Sequence, residues 1–110
     1  MNDVALVKTA RIRQLNDQLR RKGIGGRIVI TRGIQALGPN GVREVLIAVA
    51  RFDDFSEDND PWGEHDCAVL PVDGHRIIFK HDLYEDPEVK GADGQPATTR
   101  VLTIMLAEEW

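Results

Sequence analysis

Asp73-Gly74, set between the apolar runs Cys67–Val72 and residues 75–83, constrains the fold of this chain more than any other pair of residues. An Asx-Gly dipeptide between such runs reads as a two-residue β-hairpin turn, because both central positions need positive φ. Counting outward from the turn sets the register. Val72 falls opposite His75, Leu70 opposite Ile77, Ala68 opposite Phe79 and Asp66 opposite His81. The alternate face pairs Val69 with Ile78, Cys67 with Lys80 and His65 with Asp82. The first set is the more apolar and is expected to meet the core.

The remaining elements are read around this hairpin. Val4, Val7, Ile12, Leu15 and Leu19 recur at helical spacing and predict a helix over Asp3–Lys22. Asn2 is suited to cap its start and Asp3 to the first turn. Residues 27–32 (RIVITR) are short, β-branched and preceded by glycines, as in a strand. Gly38-Pro39 opens a second helix with Val42, Val45, Leu46 and Val49 as its buried stripe, continued by Phe52. Residues 85–97 are rich in Pro, Gly and acids and read as an exposed loop. Thr98 or Thr99 then caps a last helix running through Glu109, with Val101, Ile104, Met105 and Glu108 on one side. A strand over residues 100–107 is the alternative, because the apolar run is too short to decide by period. The expectation is a small α+β domain over residues 1–110 in the order α-β-α-β-β-α, the last element alternatively β, with the antiparallel hairpin packed on helices. A chain of 110 residues can bury one modest core without staples.

Between the second helix and the hairpin lies the chemically most unusual stretch. Residues 52–66 (FDDFSEDNDPWGEHD) hold seven carboxylates, no Lys or Arg, and the aromatics Phe52, Phe55 and Trp62. The charge along the chain is polarised. Residues 1–32 carry eight bases and two acids, whereas residues 33–66 carry two bases and eight acids. Such asymmetry marks either a nucleic-acid-binding end or a basic helix that lies near the acidic segment and neutralises it, and the second is favoured. No stretch approaches the length of a membrane span, and the start lacks a secretory pattern, so a cytoplasmic location is expected. One cysteine excludes an internal disulfide and a multi-Cys zinc site, and Cys67 is expected to be a buried structural thiol.

Three chemistries are considered. The hairpin register places His65-Asp66 across from His81-Asp82, two His/carboxylate pairs with Glu64 beside them. These could hold a divalent metal or a carboxylate-oriented general base. Stabilising cross-strand pairs are the simpler reading, since opposite faces do not converge on one ion. Residues 58–63 look like the start of a calcium loop, but the twelfth position is Val69, where a bidentate Glu is required. Arg11, Arg20, Arg21 and Lys22 on the first helix could contact phosphates, yet no aromatic stacking platform accompanies them. Phosphate-loop, dinucleotide and nucleophile-elbow signatures are absent from the sequence.

Residues 12–17 (IRQLND), 52–55 (FDDF), 58–66 (DNDPWGEHD) and the terminal RVLTIMLAEEW together resemble an uncharacterised bacterial family, domain of unknown function 3768. The likeness spans nearly the whole chain; Cys67 stands where an aromatic is expected. The resemblance implies a small cytoplasmic protein often carried on plasmids and other mobile elements, and it brings no established activity to any residue.

The leading reading is a non-enzymatic accessory protein of mobile elements, with no cofactor. Its protein-binding face would comprise Asp53, Asp54, Phe55, Glu57, Asp58, Asp60 and Trp62, with Phe55 and Trp62 as anchors in a charged rim. The expected partner is a basic host or defence-system protein, which the module would inhibit by mimicking nucleic-acid charge. The first alternative is a metal-dependent hydrolase of phosphoester or nucleotide substrates, using Glu64, His65, Asp66, His81 and Asp82, with the metal on His65, Asp66, His81 and Asp82. The second is DNA binding through the first helix.

Overall fold

In the structure, a computed structural model, the Asp73-Gly74 turn forms as the residue types require: φ is 50° at Asp73 and 79° at Gly74. Two consecutive positive φ values match the right-handed twist of the flanking strands. The structure describes residues 3–110, with side chains from Val4 onward. The roles expected of Asn2 and of the Asp3 side chain lie outside the described residues.

The elements are α1 (Asp3–Lys22), β1 (Arg27–Ile30), α2 (Arg32–Gln35), α3 (Gly38–Arg51), β2 (Cys67–Val72), β3 (His75–Lys90), β4 (Pro96–Leu106) and a closing 3-10 turn (Ala107–Glu109). One mixed sheet has the order β1-β4-β3-β2. β2 and β3 are antiparallel in the expected register, from Val72 opposite His75 to Cys67 opposite Lys80. β4 lies antiparallel to β3 and parallel to β1. The α+β class holds.

Leu19 from α1, Ile34 from α2 and Val45 and Val49 from α3 share one buried cluster with Ala68, Leu70, Ile77, Phe79, Leu102 and Ile104. All six strand residues lie on one face of the sheet, so the helices form a single layer against it. The hairpin face expected to meet the core does so.

Three expectations are corrected. The final long element is a strand, not a helix capped by Thr98 or Thr99, so the alternative reading stands. β4 is flanked by strands on both sides and buries Leu102, Ile104 and Met105 across both faces. A central strand of this kind shows a continuous apolar run, which erases the two-residue period. Residues 85–97 are not a loop: β3 continues to Lys90 and β4 resumes at Pro96, forming an exposed two-stranded arm. Composition reported the exposure correctly but not the pairing. An irregularity between Asp86 and Lys90 accommodates Pro87, which has no N–H for a ladder. Finally, Val4 and Val7 are 59% and 68% exposed. The C-terminal half of α1 packs toward the sheet through Ile12, Leu15, Asn16, Leu19 and Arg20, which are half-buried to buried.

The four-residue α2 was not anticipated. The chain's far end holds it. Glu109 accepts hydrogen bonds from the Thr31 hydroxyl at 2.6 Å, the Gly33 N–H at 3.1 Å and the Leu106 N–H at 2.8 Å. These donors keep the Glu109 carboxyl below its ordinary range. A Cβ at Gly33 would lie 2.5 Å from a Glu109 oxygen, so a side chain there would push the Glu109 carboxylate away from the Gly33 N–H.

Candidate functional site

The acidic segment leaves the C-terminus of α3, where unpaired carbonyls concentrate negative potential. Asp53 and Asp54 add to that potential, so a cation is needed nearby. Arg20 of α1 provides it. Its Nη1 donates to the carbonyls of Val49 at 2.8 Å and Phe52 at 2.7 Å, and its Nη2 donates to Asp17 at 3.0 Å. The guanidinium lies over the rings of Phe55 and Phe79, 5.3 and 5.4 Å from their centroids. Arg20 is 3% exposed.

Further along, the segment is tied to itself and to α1. Asn59 Oδ1 accepts the Ser56 N–H at 2.7 Å, and its Nδ2 donates to the Asp54 carbonyl at 2.8 Å. Asp60 is buried, and its Oδ1 accepts the N–H groups of Glu64 and His65, each at 3.1 Å. Arg13 donates to the Gly63 carbonyl at 3.0 Å and Asn16 to the Glu64 carbonyl at 2.9 Å. Asn16 in turn accepts from Arg100 on β4. The basic helix thus lies against the acidic segment, as expected. Arg13 and Arg20 there bond backbone carbonyls, while the outward carboxylates stay in solvent.

His65 completes the knot. Its backbone φ is 53°, a left-handed conformation that costs an ordinary side chain roughly 1 kcal/mol. Its ring stacks on Phe55 with centroids 3.8 Å apart and planes 6° from parallel. Nδ1 donates to Asp17 at 3.0 Å, and Nε2 lies 3.6 Å from Asp60 Oδ2. Burial pushes the Asp17 carboxyl upward, but the hydrogen bonds from His65 and Arg20 outweigh it and leave the pKa lowered.

This geometry revises the His/carboxylate expectation. His65 does not pair with Asp82, because its left-handed backbone turns the chain out of the strand before Cys67 and sends the ring to α1. His81 bonds the Asp66 backbone carbonyl at 2.9 Å rather than the Asp66 carboxylate. Asp82 pairs with Lys80 at 2.9 Å, on the opposite face of β3 from His81. His65, Asp66, His81 and Asp82 therefore do not converge. Among the described residues no group of three or more His, Cys, Asp or Glu side chains could hold a metal ion. Both nitrogens of His65 face carboxylates, so neither is placed to take a proton from a substrate. Cys67 is exposed rather than buried. Partial burial pushes its thiol pKa up, reinforced by Asp66, Asp60 and Asp82, which opposes thiolate formation.

The proposed protein-binding residues divide in two. Phe55 is packed against the core in edge contact with Phe52 and Phe79, and Asp60 is buried in the knot. Both hold the segment together, which corrects the expectation that Phe55 is an exposed anchor. Asp53, Asp54, Glu57 and Asp58 are exposed, and Trp62 is 75% exposed. Of the basic residues, Arg20 is internal and cannot reach a phosphate, whereas Arg11, Arg21 and Lys22 are exposed to partly exposed at the surface of α1. The shallow groove of about 500 Å³ on the outer face of α1 mixes Arg13, Arg21 and Lys22 with Asp17.

Sequence reasoning missed Asn16, Asp17 and Arg13 as partners of the segment. Asn16 and Arg20 sit at helical spacing among Ile12, Leu15 and Leu19, in the phase that faces the core. Two polar residues in an apolar stripe were the available signal.

The knot sets an acid response. His81 is held below the ordinary histidine value, chiefly by burial, with the charges of Arg20 and Arg100 adding to the shift against its bond to the Asp66 carbonyl. A histidine lowered by folding contributes stability that is complete above the unfolded value of about 6.5 and is lost as pH falls below it. Asp17, also lowered, contributes stability above about 3.8 that is lost in more acidic solution. Urea midpoints are therefore expected to decline in two stages on acidification. His81→Gln is expected to flatten the first stage. An unchanged slope below pH 6.5 in that variant would contradict the assignment.

Comparison with known proteins adds one match. The model of a family described as "Protein of unknown function (DUF3768)" covers residues 30–109. No curated protein and no solved structure matches the chain. No described helix is long and apolar enough to cross a membrane.

Proposed function

The chain belongs to the DUF3768 family, and from the geometry of its acidic segment we propose that it is a non-enzymatic protein-binding module. Its partner would be a basic protein, engaged by Asp53, Asp54, Glu57 and Asp58 around Trp62. The observation that carries this reading is Trp62 itself. A large aromatic side chain stands 75% exposed on a segment pinned at Asp60, Gly63 and Glu64. An exposed tryptophan on an acidic segment whose backbone is already ordered is what an interface anchor requires, because little conformational freedom is lost on binding. The surrounding like charges favour a cationic surface and steer its approach. A protein that normally holds nucleic acid would present such a surface, and its occupation would act as inhibition. Carriage on a mobile element and a role against host defence belong to this same proposal.

The test is affinity capture from bacterial extract on immobilised protein, with wild type beside Trp62→Ala at low and high salt. The expected result is a discrete basic protein retained by wild type at low salt, released at high salt and absent with Trp62→Ala. Trp62 touches solvent, so its variant should keep the wild-type unfolding midpoint. Recovery of identical proteins by both, or of none, would contradict the proposal.

A further inference from the structure

The helices cover one face of the sheet; among the described residues no helix covers the other, where Trp110 of the chain's end lies against Lys80. Val69, Ile78, Val101 and Met105 lie on it; Met105 is 6% exposed yet stands outside the core cluster. Beside Ile78 a cavity of about 380 Å³ is lined by Cys67, Val69, Ile78 and the 74%-exposed Trp110. Farther along the same face the arm carries Tyr84, which is 53% exposed.

The charges along β3 on this face follow a pattern. Every second residue from Arg76 to Asp86 points to the open side: Arg76, Ile78, Lys80, Asp82, Tyr84 and Asp86. Cations occupy the hairpin end and anions the arm. The order is antisymmetric about His81. Reversing the strand about that residue sets Arg76 against Asp86 and Ile78 against Tyr84, and lays the Lys80–Asp82 pair, already closed within each chain at 2.9 Å, over its own copy.

We infer that a second copy of this chain docks on the sheet face away from the helices, related by a two-fold axis that lies midway between the two sheets, runs perpendicular to the strands and passes over β3 at His81. The interface is isologous, as in most homodimers, and the sheets stack face to face with near-aligned strands. Tyr84 of each copy then falls over Ile78 of the other and enters the cavity beside Val69 and Trp110. Arg76 and Asp86 pair across the rim at both ends. The occupant is a second copy because the face complements itself. The chain as a whole carries a net charge of −4, and two copies repel in orientations that lack such pairing. This also gives the exposed arm a function, since each arm lies over the other copy's hairpin. The face meets the acidic segment at Asn59, which also lines that cavity, whereas the charges that pair across the two-fold, Arg76 and Asp86, lie on β3 outside the segment.

The test is sedimentation of the full chain from about 1 to 100 µM, with Arg76→Glu, Asp86→Arg and an equal mixture of the two. Both residues are exposed, and Asp86 accepts only the exposed Glu88 N–H at 3.0 Å, so at concentrations below the dimer range the variants should stay close to the wild-type thermal midpoint. Wild type is expected to dimerise in this range. Each single variant places like charges together twice and is expected to self-associate at least about tenfold more weakly. The mixture is expected to regain dimer. At one end of the mixed interface the introduced glutamate of one variant meets the introduced arginine of the other, and at the other end the native Arg76 and Asp86 meet. A monomeric wild type, single variants that dimerise as wild type does, or a mixture that stays dissociated would each overturn the proposal.

Discussion

Arg20→Ala is expected to cost about 3–5 kcal/mol of folding stability. The side chain is 3% exposed and donates to Val49, Phe52 and Asp17 while lying over the rings of Phe55 and Phe79. Its removal strips donors from two buried or half-buried carbonyls at the C-terminus of α3. It also leaves Asp17 with His65 alone and opens space beside two aromatic rings. For a chain of this size each kcal/mol lowers the midpoint by roughly 4–8 °C, so the fall should exceed roughly 10 °C. The neighbouring Arg21 is exposed, and Arg21→Ala should stay within about 0.5 kcal/mol of wild type. Urea unfolding of both variants gives the comparison. Equal midpoints for the two would remove Arg20 from the centre of the fold.

Phe79→Ala is expected to have a comparable effect, about 3–5 kcal/mol, through lost burial and the cavity left behind. Phe79 is fully buried and meets Phe52, Phe55, His81 and the Arg20 guanidinium. It is the residue through which β3 supports the base of the acidic segment. Phe79→Leu should recover much of the loss, since it restores most of the volume. Because Arg20 and Phe79 touch, their effects should not add: the double variant is expected to lose less than the two singles together. Strict additivity in urea unfolding would mean that Arg20 acts only through its carbonyl bonds.

Where the chain folded as its sequence suggested, the determinant was local. The Asp73-Gly74 turn needs only its own backbone conformation, and its register carried the pairing of β2 with β3. Where it did not, the determinant was distant. β4 reads as neither helix nor strand until β1 and β3 are placed on its two sides. The arm at residues 85–97 has a loop's composition because an exposed ribbon and an exposed loop draw on the same residues.

The acidic segment was visible as a concentration of charge and aromatics. Its division into solvent-facing carboxylates and internal groups was not, because that division is made by α1, whose Asn16 bonds a carbonyl 48 residues away. The left-handed backbone at His65 had no local signal. It undid the pairing of His65 with Asp82 that counting along the strand implied.

The most direct measurement is the affinity of the captured basic partner for wild type and for Trp62→Ala, by titration calorimetry at two salt concentrations. A buried aromatic anchor accounts for about 2–4 kcal/mol of binding, so the variant is expected to bind at least roughly thirtyfold more weakly. Wild-type affinity is also expected to fall as salt screens Asp53, Asp54, Glu57 and Asp58. Equal affinities for the two proteins, unaffected by salt, would contradict the assignment of the acidic segment as the binding face.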